Sequence, residues 1–160
     1  MSSRVLVSVR VKADPVRAFD AFTQEIGEWW RPNLMFRFTP RSPGVVSFVQ
    51  GDDGAWEGGR FIETLPGGKV FEVGTIRVWK PGDQLVFGWR CAWFEPGMDT
   101  EVQVRFEPVG DETRVTVEHG GWDTVPVENA ARHNFPNVFF LKHEAEWWTS
   151  MLASLKGRAL

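Results

Sequence analysis

The side chains able to do chemistry are few. His119 closes the alternating stretch TRVTVEHGGW (113–122), and His133 and His143 lie further along. None of the three forms HxH, HExxH or a Cys/His cluster with ligand spacing, so the sequence holds no metal-binding motif and implies no cofactor. His143 and Glu144 are adjacent and point to different faces. There is no GxSxG, and Cys91 has no local cysteine-nucleophile signature. EGGRF (57–61) lacks the glycine spacing of a phosphate cradle, and its glycines fit a point where a strand bends. What remains is Glu63 with His119. In an apolar pocket desolvation would shift both pKa values and suit a cyclase or other proton-transfer enzyme. No spacing forces the two together, so a hydrogen-bonded structural role for His119 ranks above catalysis, and no catalytic residue is assigned.

The elements that would position these groups follow from periodicity. Residues 4–12 alternate as a half-buried strand, with Val5, Val7, Val9 and Val11 on one face. Asp14-Pro15 caps a short helix over 16–22, and a second short helix fits 23–30 before Pro32. Residues 34–43 read as an extended segment or a loop. Strands follow over 45–50, 58–65, 70–80, 84–93, 100–107 and 114–119, separated by short Gly/Pro/Asp turns, which is an antiparallel meander. Residues 127–137 are irregular. Apolar residues at 138, 141, 145, 148, 152 and 155 then mark a long amphipathic helix. The sheet must bury one face, and that helix is the long element able to cover it.

At 160 residues the chain suits a single domain over 1–160. A net charge of −3 gives no basic field for nucleic acid. One cysteine forms no internal disulfide, and MSSRVLVSVRV alternates instead of offering the apolar run of a secretory signal. No stretch approaches the length of a membrane span, so a cytoplasmic protein is expected. Nine Trp and thirteen Phe, with no Tyr, are more aromatic surface than a tight core of this size easily takes. They imply either a core of large pieces or an aromatic-lined cavity.

Five stretches in register carry a resemblance: DPVRAFDAFT (14–23), EWWRP (28–32), EGGRF (57–61), GTIRVWKPGDQLVFGW (74–89) and VQVRFEPVGDETRVTVEHGGW (102–122). With WWTSMLASL (147–155) they make the chain similar to the heat-shock-protein-90 ATPase activator homologue-like family, within the START-like (SRPBCC, birch-pollen-allergen-like) superfamily. Two departures stand out: Trp147 where the family usually has Gly, and a longer segment 123–137. The resemblance implies an α+β helix-grip fold. A curved antiparallel sheet of about six or seven strands wraps a long C-terminal helix, two short helices follow the first strand, and a cavity lies between sheet and helix. Such cavities usually take apolar or amphipathic small molecules, and most compact single-domain members have no assigned role.

Strand parity then names the cavity wall: Phe61 and Glu63, Phe87 and Trp89, Val104 and Phe106, Val117 and His119. Leu141, Trp148 and Leu152, with Ala145, would close it from the helix, and Trp30, Phe36 and Phe38 would guard an entrance beside Trp29 and Met35. A one-residue slip would return Glu63 to solvent, and Arg77 and Arg90 suit an outward face. The ranking is a non-catalytic binder of a hydrophobic or amphipathic small molecule, then a cyclase- or hydrolase-type enzyme in the same cavity. Third comes a co-chaperone-like or homodimerising module engaging a partner through exposed Trp29, Trp30 or Trp147.

Overall fold

A computed structural model describes residues 3–158. Its elements are β1 (Val5–Val11), α1 (Pro15–Gln24), α2 (Ile26–Trp29), β2 (Val45–Val49), β3 (Arg60–Thr64), β4 (Val70–Lys80), β5 (Gln84–Trp89), β6 (Thr100–Val109), β7 (Glu112–Gly120) and α3 (Asn137–Arg158). Single 3₁₀ turns stand at Leu34–Phe36, Trp122–Thr124 and Ala130–Arg132. The strands form one antiparallel seven-stranded sheet in the order β1-β7-β6-β5-β4-β3-β2. This is the helix-grip arrangement, with α3 lying against β1 and the concave face. The ends of the single-domain assignment, Met1, Ser2, Ala159 and Leu160, lie outside the described residues.

Local chemistry accounts for the elements. Asp14 Oδ1 accepts from the Arg17 amide at 2.8 Å and Pro15 opens α1, so one orphan donor of the first turn is satisfied. The meander bends where its ladders slip, between Phe61 and Ile62 in β3 and between Ile76 and Val78 in β4. Only glycine fits at position 74 beside that bend, since a Cβ there would stand 1.8 Å from the Gly88 carbonyl oxygen.

Several boundaries differ from the sequence pattern. α1 runs on to Gln24, and α2 is a single turn. β5 stops at Trp89 rather than 93, because the chain beyond it turns away to bond elsewhere: the Arg90 amide donates to Val73 O at 3.0 Å and the Ala92 amide to Phe38 O at 2.7 Å. The inward line of α3 is also rotated. Phe140, Glu144, Trp147, Trp148, Met151, Leu152 and Leu155 are buried, while Leu141 and Ala145 sit half-buried on its flank and Val138 is 81% exposed. An apolar count skips Glu144, and that shifts the phase it reports.

β7 leaves the sheet through Gly121, which has φ 93° and whose Cβ would approach Asp99 O to 2.4 Å. The turn puts Trp122 into the interior, where it is 1% exposed. Gly121→Ala is expected to lower stability by about 1–3 kcal/mol through strain at that φ. Urea denaturation of the variant checks this, and an unchanged midpoint would refute the strain.

Candidate functional site: an aromatic interior with a buried histidine–glutamate pair

The apolar residues expected to line a cavity belong to or pack against one core, with Phe106 meeting Phe19 and Phe22 of α1 and Leu141 on the flank of α3. All are buried except Trp30 and Leu141, which are half-buried. Phe61 of β3 lies 5.0 Å from Phe87, 5.7 Å from Trp30 and 6.2 Å from Phe38, so rings occupy the space between sheet and α3. Three interior rings, Trp30, Phe36 and Phe38, come from residues 30–44, which have no regular structure beyond one 3₁₀ turn. Trp30 packs on Trp148, Phe36 stacks on Trp147 at 4.9 Å, and Phe38 meets Trp89 at 5.3 Å. This segment is a cover, and hollows surround it. One of ≈ 20 Å³ lies beneath it by Trp30, Phe38, Glu63 and Trp147, room for about one water. A second of ≈ 260 Å³ lies between Leu34–Arg37, Trp89 and Ala130–His133. A third, an open groove of ≈ 620 Å³, runs along α3 past His143 and Glu146.

Few bonds hold the cover. Trp147 Nε1 donates to Arg31 O at 2.9 Å, His133 Nε2 to Met35 O at 2.6 Å, and the Ala92 amide to Phe38 O. Glu63 fastens its far end, accepting from Ser42 Oγ and from the Gly44 amide at 2.9 Å. Glu63 therefore faces inward, yet it is occupied there and is not bonded to His119. The expected route to a partner through exposed tryptophans is corrected: Trp29 and Trp147 are 1% and 5% exposed, with Trp29 Nε1 donating to Ala21 O and Trp147 Nε1 to Arg31 O. Arg77 and Arg90 do face outward, Arg77 to Asp99 and Glu101, Arg90 over the Phe71 ring.

His119 has a different carboxylate beside it. Its Nδ1 stands 3.2 Å from Glu144 Oε1, and both residues are fully buried. The hydrogen bonds assign the protons. Thr100 Oγ1 gives its one hydrogen to Trp89 O, so toward His119 Nε2, at 3.1 Å, it can only accept. Nε2 therefore carries the ring proton. Nδ1 is a lone pair, facing Trp148 Nε1 at 3.3 Å and Glu144 Oε1. A carboxylate opposite that lone pair would repel it, so Glu144 carries a proton. The direction of both pKa shifts agrees: burial pushes His119 down to about 3 and raises Glu144 well above its ordinary 4.5. Trp122 Nε1 donates to the same Oε1 at 2.8 Å.

Arg132 completes the cluster. It is 2% exposed, donates through Nη1 to Trp122 O and Val125 O, through Nη2 to Asn137 Oδ1 at 2.6 Å, and lies over the Phe140 ring. Burial lowers its pKa. Sequence reasoning missed both Glu144 and Arg132. Glu144 had a signal, since it stands three and four residues before Trp147 and Trp148 and so shares their helix face. Arg132 had none, lying in a segment without periodicity. Burial also pushes the Cys91 thiol up to about 11, which keeps it protonated at neutral pH. Among the described residues no group of three or more His, Cys, Asp or Glu is placed to hold a metal ion, and no helix is long and apolar enough to cross a membrane.

The pair shapes pH stability with opposite signs. The unfolded chain protonates His119 below 6.5, while the folded chain resists until about 3, so this residue's contribution is full above 6.5 and is lost as pH falls. Glu144 is the reverse: its contribution is full below 4.5 and is lost as pH rises toward its raised folded value. Between 4.5 and 6.5 the slopes oppose each other. Glu144→Gln cannot ionise, so its urea midpoint is expected to gain on the wild type as pH rises above 6.5. Parallel profiles for the two proteins would refute a neutral Glu144.

The family model described as Activator of Hsp90 ATPase homolog 1-like protein matches residues 12–158. No protein of curated function matches by sequence. Among solved structures, an HSP90 activator from Plasmodium falciparum aligns with a TM-score of 0.63 at 16% identity, covering 96% of this chain and 94% of that one. The Aha1 dimer from Colwellia psychrerythraea gives 0.61 at 18%, covering 96% and 92%. CalC, a self-sacrificing resistance protein from Micromonospora echinospora, gives 0.60 at 26%, covering 98% and 93%. All three structures share the fold, and the family-model match spans nearly the whole chain: this protein belongs to the Activator of Hsp90 ATPase homolog 1-like family.

Proposed function

We propose that the chain, acting in the cytoplasm as one domain over 1–160, is a non-catalytic binding protein for a hydrophobic or amphipathic small molecule. The ligand takes the space between sheet and α3 that Trp30, Phe36 and Phe38 fill in this structure. One observation carries this: the rings that close the interior come from a cover held outside the sheet ladder by a handful of bonds. Such bonds are worth about 0.5–1.5 kcal/mol each, so a ligand that replaces the buried rings can displace the cover at modest cost. The walls, Phe61, Phe87, Val104, Phe106, Val117, Trp148 and Leu152, stay apolar whether the cover is in or out, with Glu63, Trp89 and His119 as the polar groups among them.

Catalysis ranks lower. Glu63 and His119, the pair a cyclase or hydrolase would use, are each bonded to other partners. An interaction module is the remaining alternative, and its support is the pair Val138 and Phe139 on the first turn of α3, 81% and 46% exposed, together with the Hsp90-activator and dimer neighbours.

Native mass spectrometry of protein purified from its source is expected to find a bound organic molecule. Phe36→Ala is expected to bind an anilinonaphthalene dye several-fold more strongly than the wild type while losing about 3–5 kcal/mol of stability as its ring leaves a cavity. A molecule-free protein whose Phe36→Ala variant stays dye-free would overturn the binding reading.

A further inference from the structure

Among the described residues, three buried side-chain polar atoms have no hydrogen-bond partner: Trp89 Nε1, Arg132 Nε and Glu144 Oε2. All three residues are at most 2% exposed. They are not scattered. Each packs on or bonds to Trp122: Trp89 by its ring at 5.5 Å, Arg132 through the Trp122 carbonyl, Glu144 through the Trp122 indole N–H. A buried donor or acceptor without a partner costs about 1–3 kcal/mol, so three around one residue mark a place where a polar group belongs.

The place is within reach of the proposed ligand. Phe38 of the cover lies against Trp89, and Phe36 lies 5.6 Å from Phe140, beneath which the Arg132 guanidinium sits at 4.6 Å. Trp89 also lines the ≈ 260 Å³ hollow beside the cover. A molecule occupying the Phe36 and Phe38 positions would meet Trp89 first, with Arg132 behind the Phe140 ring and Glu144 behind Trp122.

The protonation pattern narrows the chemistry. Trp89 Nε1 and Arg132 Nε are donors. Glu144 carries its proton on the oxygen that faces His119, so Oε2 is a carbonyl-type acceptor. Two donors and one acceptor are complementary to a hydroxyl group, which has two lone pairs and one hydrogen. A carboxylate would satisfy the donors and face Oε2 with nothing to give it. We propose that this cluster is the polar subsite of the binding cavity and that the ligand is an amphipathic alcohol or phenol, anchored by its hydroxyl to Trp89, Arg132 and Glu144. This rests on the small-molecule reading above and adds the class of ligand.

Decanol, decanoate and decane, titrated against the protein by tryptophan fluorescence and by displacement of an anilinonaphthalene dye, separate the two claims. Decanol is expected to bind about tenfold more tightly than decane, the gain of hydrogen bonds to buried polar groups. Trp89→Phe removes one donor and keeps the apolar wall, and Glu144→Leu removes the acceptor, which Glu144→Gln would keep as an amide carbonyl. In each, the preference for decanol is expected to fall several-fold while decane binding holds. Equal binding of decanol and decane would overturn the subsite and leave the cavity standing, with water serving the three atoms. Tightest binding by decanoate would overturn the hydroxyl assignment, making Arg132 an anion receptor. Uptake of none of the three would overturn the cavity and the subsite together. Should either variant fail to fold, the wild-type series still decides.

Discussion

The contact between His119 and Glu144 fixes how α3 lies on the sheet. Both groups are fully buried, and each alone would be costly to desolvate. As a neutral pair they avoid the larger cost of burying two charges. The bond also sets register. Around it α3 presents Trp147 and Trp148 side by side, and a shift of one residue turns that face by about 100°. A shift would replace Glu144 with His143 or Ala145 and leave His119 Nδ1, Trp122 Nε1 and Trp148 Nε1 to find other partners. Among aromatic walls that offer few polar alternatives, the polar pair makes one helix position far better than its neighbours.

From that fixed helix the rest of the interior divides into walls and filling. The walls are strand residues whose orientation the ladder enforces, such as Phe61, Phe87 and Val104. The filling is Trp30, Phe36 and Phe38, brought in by a segment that no ladder holds. Curvature makes room for it: the two extra residues of β4, Val73 opposite β3 and Arg77 opposite β5, and the close approach of Gly74 to Gly88 bend the sheet around a volume wider than α3 fills. The high aromatic content then has two destinations, a lining carried by the strands and the rings of the cover.

How much of this the sequence discloses depends on which period carries the information. Alternation places Val102, Val104, Phe106, Val115, Val117 and His119 inward correctly, since a strand leaves only two choices of face. The helix is harder. Its polar inward residue breaks the apolar pattern, so the count lands on Leu141 and Ala145 and misses Phe140, Glu144 and Met151. The stretch after Trp89 reads as strand because WRCAW is aromatic and short on turn residues, yet its amides bond to Val73 and Phe38. Trp29 and Trp147 look like candidates for a surface until their indole N–H groups are seen to be satisfied by backbone carbonyls inside. Arg132 is invisible in the sequence, because its role comes from bonds to Trp122, Val125 and Asn137, in a segment whose path no periodicity fixes. The overall architecture was legible chiefly through the resemblance, whose motifs are strand ends and turns and so survive errors in helix phase.

A polar cluster at the centre of an apolar interior is a poor choice for stability alone, since apolar side chains of similar volume commonly do as well or better. Two explanations compete. Register explains His119, Glu144, Trp122 and Trp148, each of which closes a bond within the pair's network. It does not explain Trp89 Nε1, Arg132 Nε and Glu144 Oε2, which fix nothing because they bond to nothing. A phenylalanine at 89 would keep the ring contacts with Phe38, His119 and Trp122 without stranding an indole N–H. Local consistency fails at these atoms, and such failures are expected where a fold keeps a binding site. Trp89 lies against Phe38, and Arg132 lies on the Phe140 ring that packs on Phe36. On the proposed reading, the departure from good packing and the weakly held cover belong to one arrangement, a polar anchor next to the rings a ligand would replace.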